Sequence, residues 1–196
     1  MKAHSLQSPV LLRKNIAIVF IAALLVFLFQ VPAHADGGET GWVGGLFGLS
    51  VPNADNTTSR TMYGLTAGAK VGSEFGIGLY YLTSRQNETI NAVSTPFNYD
   101  LYGVDFGYYF EGDAKGVYFG GKLGTSKLST NNTAAQGVTT SPMHYGVFAG
   151  YNYMIGSNFS IGGEASYISV SSSNGNGLQI NQFSMLDFLA SVKFWF

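Results

Sequence analysis

From Leu186 to Phe196 every even-numbered residue is apolar (Leu186, Phe188, Ala190, Val192, Phe194, Phe196), while Asp187, Ser191 and Lys193 fall between them. A side-chain period of two gives an extended strand one apolar face and one mixed face. The same alternation recurs upstream. Residues 41–51 set Val43, Phe47, Leu49 and Val51 against Gly44, Gly48 and Ser50, and residues 61–71 set Tyr63, Leu65, Ala67, Ala69 and Val71 against Gly64, Thr66, Gly68 and Lys70. Residues 75–83, 98–110, 117–128, 143–155 and 159–169 repeat the division, with Phe, Tyr, Val and Ile opposed to glycine-rich partners. Between them lie short turns at 72–74, 111–116 and 156–158 and longer polar segments at 52–60, 84–97, 129–142 and 171–181, which carry turn residues and no period. The pattern predicts eight antiparallel strands whose connections alternate long and short.

Composition decides what the apolar faces meet. Only 11% of the chain is charged and 15% is aromatic, against about a quarter charged in an ordinary soluble domain. Past the amino-terminal region no apolar run approaches the length of a membrane-crossing helix. A closed β-barrel is the other structure that leaves no unpaired backbone in lipid. The charges in the middle of the strands agree: Lys70, Asp105, Lys122, Glu164, Asp187 and Lys193 all fall on the glycine-rich face and none of these mid-strand charges on the aromatic one. A Lys or Arg on the lipid side of a barrel costs roughly 2–4 kcal/mol at the bilayer midplane, so the aromatic face is expected outside and these six residues are expected to form a polar network in the lumen. If Phe110 opposes Val117 across the turn, Asp105 faces Lys122, and a cross-strand ion pair is expected there. Tyr81, Tyr102, Tyr108, Tyr153 and Tyr167 lie near strand ends, where interfacial girdles belong.

The amino-terminus carries an address. Lys2, Arg13 and Lys14 precede fourteen uninterrupted apolar residues, Ile16 to Phe29, and Ala33-His34-Ala35 is a small-x-small cleavage site. This is the pattern of a secretory signal peptide, and fourteen residues span only about 21 Å as a helix, short of a ~30 Å hydrocarbon core. Cleavage after Ala35 is expected, leaving residues 36–196 as one barrel domain. Seven basic residues then face eleven acidic ones, a balance that excludes a nucleic-acid partner. With no cysteine, disulfides, thiolate nucleophiles and Cys-based metal sites are excluded.

Signal, eight alternating strands and an aromatic end together resemble the small bacterial outer-membrane β-barrel superfamily of OmpA-type and OmpX-type proteins. The resemblance implies an all-β, eight-stranded, antiparallel up-and-down transmembrane barrel in the outer membrane, monomeric and surrounded by lipid and lipopolysaccharide, with both termini periplasmic. It also implies that Phe188, Ala190, Val192, Phe194 and Phe196 are read by the barrel-assembly machinery as an insertion signal. Such proteins serve envelope integrity or surface contact, with an external ligand possible on the loops. A narrow pore or an OmpW-like conduit is the alternative, and a lipid A-modifying enzyme a third. His144 is the histidine left after cleavage, but Gly146 rather than serine lies two residues on and no acid is near in sequence. No nucleophile, base and orienting acid can be grouped around it, so no catalytic residues, no cofactor and no metal are expected, and a side-chain-filled lumen is favoured because eight strands enclose little more than their own side chains.

Overall fold

The computed structural model describes residues 41–53, 58–90, 93–112, 115–132, 135–175 and 178–196. The expected signal peptide, residues 1–35, lies outside them. Eight long strands close into a barrel: β1 (Gly41–Asn53), β2 (Arg60–Val71), β3 (Phe75–Ile90), β4 (Val93–Tyr109), β5 (Gly116–Asn132), β7 (Met143–Met154), β8 (Phe159–Val170) and β11 (Phe183–Trp195). Each pairs antiparallel with its neighbours, and β1 pairs with β11 to complete the ring. The ring continues to the last residue, where the backbones of Gly41 and Phe196 exchange hydrogen bonds of 2.9 and 3.0 Å. Within the ring, closure leaves no unpaired edge, the condition for a sheet in lipid. The short turns at one end need left-handed backbone, supplied by Gly72 at φ 76° and Gly156 at φ 75°.

The predicted strands are all present, but three of the expected loops are not loops. Residues 84–90 and 93–97 extend β3 and β4 as a continuing hairpin to the pair Ile90–Val93. β5 likewise runs on to Asn132 and pairs with a short β6 (Ala135–Thr140), and the 171–181 segment contains a small two-stranded sheet of β9 (Ser173–Gly175) and β10 (Leu178–Ile180). Beyond the apolar belt no lipid demands an apolar face, so the period of two disappears while the ladder continues; Ser84 and Thr140 are nonetheless buried, and Phe97 and Ile180 pack against the lumen cluster.

Inside and outside separate by parity. On β11 the odd positions from Met185 to Trp195 are buried and the even ones exposed. Phe47, Leu65, Val147, Tyr153 and Phe188 are all more than half exposed on the outer wall, an arrangement a water-facing surface does not tolerate over such an area. The interior is filled in layers. At the long-hairpin end, Leu46, Met62, Tyr80, Leu82, Tyr99, Leu101, Leu128, Ile168, Val170, Met185 and Leu189 form one apolar cluster. At the short-turn end, Trp42, Tyr109, Tyr118, Phe148 and Trp195 form another.

Candidate functional site in the barrel lumen

Between the two apolar clusters lies a polar layer built from strands on opposite sides of the ring. The β4–β5 register puts Asp105 opposite Lys122 as the turn spacing requires, yet the carboxylate that binds the ammonium is Glu164 of β8, reached across the lumen. The expected Asp105–Lys122 ion pair is thus replaced by Lys122–Glu164. Ladder opposition fixes only where the backbones meet; a four-carbon stem pointing inward reaches the far wall of so narrow a barrel. Lys122 also lies 5.2 Å from the ring centroids of both Tyr80 and Phe148. Tyr118 donates to Glu164 at 3.5 Å.

Lys193 enters the same layer from β11 and stands over aromatic faces, 5.0 Å from Tyr118 and 6.0 Å from Trp42. Cation–π attraction of this kind strengthens once water is removed. Asp187 is fully buried opposite Ser50 and Ser166 in the ladders, and neither of its oxygens has a hydrogen-bond partner. Lys70 shares the inward parity but stands half-buried near the 72–74 turn, one ladder step beyond the Gly68–Trp42 pair. Its place is at the rim of the barrel. Phe188, Ala190, Val192, Phe194 and Phe196 project outward from the closing strand.

The residues the sequence reading did not group are the hydroxyl partners of His144. This histidine is fully buried; its Nδ1 lies 2.9 Å from Ser126 Oγ and its Nε2 2.5 Å from the Tyr80 hydroxyl. Three strands, β3, β5 and β7, are thereby tied together through one ring. The parity of Tyr80 and Ser126 announces that they face inward, but their meeting with His144 depends on the curvature of the ring, which no periodicity encodes. Removing the imidazole leaves two buried hydroxyls without this partner at about 1–3 kcal/mol each, so His144→Ala is expected to lower stability by about 2–6 kcal/mol. Urea unfolding in lipid vesicles measures this, and a loss under ~0.5 kcal/mol, the scale of a neutral surface change, would contradict a structural role.

The remaining space is small. A cavity of about 20 Å³, room for a single water, is lined by Trp42, Asp105, Tyr118, Lys122, Glu164 and Lys193 among others. Among the described residues no three His, Cys, Asp or Glu side chains are placed to hold a metal ion. The arrangement ties strands together across the lumen.

The sequence profile of the family described as outer membrane protein beta-barrel domain matches residues 21–191. Neisserial surface protein A has a similar structure, with 15% identity and a TM-score of 0.63 over 82% of this chain and 98% of that one. Ail, the attachment invasion locus protein of Yersinia pestis, aligns at 13% identity and TM-score 0.57 over 82% of this chain and all of its own. OprG, an outer membrane protein of Pseudomonas aeruginosa, gives 13% and 0.55 over 82% and 98%. At such identities the likeness is one of fold. The search among curated proteins found no match.

Proposed function

The chain belongs to the outer membrane protein beta-barrel domain family and is a transmembrane barrel of the bacterial outer membrane, and from that membership we propose a non-enzymatic wall protein with a sealed lumen, its long hairpins displayed to the exterior. The observation that carries this reading is the pair of apolar clusters closing the lumen on both sides of the Lys122–Glu164 pair. A permeant ion would have to displace Trp42 and Trp195 at one end and Met62, Leu82, Leu101 and Met185 at the other, all of them buried. Among the described residues no carboxylate bonds the hydroxyl–imidazole–hydroxyl group of Ser126, His144 and Tyr80, and its histidine and tyrosine are buried, which speaks against catalysis. A charged middle layer also suits poorly a conduit for apolar molecules.

In the proposed orientation the short turns face the periplasm, as in outer-membrane barrels generally, and the β3–β4 and β5–β6 hairpins stand above the membrane. Those hairpins are laddered far past the apolar belt, so they present a surface already ordered before any contact. Ail binds a heparin analogue, sucrose octasulfate, in a solved complex; a surface-contact role for this chain is the corresponding reading. Planar-bilayer recording tests the seal: no steady open state is expected from the wild-type barrel, and a stable conductance would overturn it.

A further inference from the structure

Among the described residues, the charged side chains on the outward face of the strands are three: Arg85 on β3, Asp100 on β4 and Lys127 on β5. They are not scattered. Asp100 is the ladder partner of Lys127 on one side and of Thr83 on the other, and Arg85, paired with Asn98, is its diagonal neighbour. Directly below them on the same wall are Tyr81 and Tyr102, themselves paired. Ten residues separate Phe75 from Arg85, which at about 3.3 Å per residue and 35–45° of tilt is about 25 Å of height, the height of an outer-membrane apolar belt. The cluster therefore sits where hydrocarbon ends and headgroups begin.

Asp100 is already engaged by neutral donors: its Oδ1 accepts from Thr83 Oγ1 at 2.7 Å and from the Tyr81 hydroxyl at 3.1 Å. Arg85 is exposed, Lys127 is half-buried, and among the described residues neither makes a hydrogen bond or ion pair. Two such cations flank a single carboxylate whose Oδ1 is already taken by neutral donors, so the cluster keeps a net positive charge at headgroup depth that suits an anion from outside the chain. An arginine fork and a lysine ammonium are the donors that phosphate selects. The hydroxyls of Thr125 and Ser129, on the same face of β5 as Lys127, can bond sugar.

We propose that Arg85 and Lys127 bind the phosphorylated headgroup of an outer-leaflet glycolipid, with Asp100 holding their spacing. This rests on the proposed orientation, which puts the long hairpins outside. The probe is lipid A in phosphatidylcholine vesicles, compared with chemically dephosphorylated lipid A and with phosphatidylglycerol, and read as affinity for the reconstituted barrel. The wild type should prefer the phosphorylated form, and each of R85Q and K127Q should weaken it about tenfold, the size of one charge-assisted hydrogen bond. Lys115→Gln, at a short turn, should change nothing. An R85Q/K127Q double variant that folds, judged by heat-dependent electrophoretic migration, yet binds lipid A within twofold of wild type would overturn the site. Equal binding of dephosphorylated lipid A would overturn the phosphate assignment, and equal binding of phosphatidylglycerol the glycolipid. Symmetric vesicles present lipid at both ends of the wall, so these results are independent of orientation; protease cleavage within residues 171–182 on intact cells tests that separately.

Discussion

Lys122→Met is expected to destabilise the folded barrel by about 3–5 kcal/mol, the cost of breaking a buried pair from one side. The substitution keeps the stem's volume and removes the charge, leaving Asp105, Glu164 and Asp187 in the layer with Lys193 as their neighbouring cation. Glu164→Gln is expected to cost less. Asp105 stands opposite Lys122 in the ladder, so an ammonium released from Glu164 finds a second carboxylate within its reach. Replacing both partners with apolar residues of similar volume, Lys122→Met with Glu164→Leu, should recover much of the loss, because desolvating two charges consumes most of what their attraction returns. Urea unfolding in vesicles, arranged as a double-mutant cycle, decides this. Equal losses for the two single variants would remove Asp105 from the account, and a double variant as unstable as Lys122→Met would show that the charged layer contributes net stability.

The pair also shows where sequence reading stops. Periodicity assigned Lys122, Glu164, Asp105, Asp187 and Lys193 to the inner face, because a strand has two faces and lipid forbids charge on one. The turn at 111–116 set the β4–β5 register, so Asp105 opposite Lys122 was legible as well. The partner of Lys122 was not, since β5 and β8 share no ladder and meet only once the ring closes. The same holds for His144 with Tyr80 and Ser126. The aromatic residues on the glycine-rich face, Tyr109, Tyr118 and Phe148, were visible in the alternation, but their assembly with Trp42 and Trp195 into a floor depends on curvature. The extended hairpins were missed for a different reason: beyond the lipid no face has to be apolar, so nothing in the residue pattern marks a strand.

Trp42→Ala is expected to cost about 3–5 kcal/mol, as large-to-small changes of buried aromatics do, and to let water into the lumen from the short-turn end. Trp42 packs 5.2 Å from Trp195 and close to Gly68 on β2 and to Gly76 and Gly78 on β3. A Cβ added at Gly68 would overlap the ring, and one at Gly76 would come within 3.1 Å of it. At Gly76 the three nearest atoms that Cβ would meet all belong to side chains, one to Tyr109 and two to Trp42, so these two rings set the closest limits on the site. Gly76→Val alone should therefore overpack the floor at about 1–3 kcal/mol, whereas in the Trp42→Ala background the same methyls enter vacated space and should restore part of the stability. The chain has two tryptophans, so Trp195 becomes the sole indole in Trp42→Ala and reports on the floor directly. It is buried and its Nε1 donates to Ser160 Oγ at 2.9 Å. Its emission should shift to the red in Trp42→Ala and return toward the blue when Gly76→Val is added. An unshifted Trp195 together with additive stability losses would mean that the floor is held by Tyr109, Tyr118 and Phe148, with Trp42 dispensable to the seal.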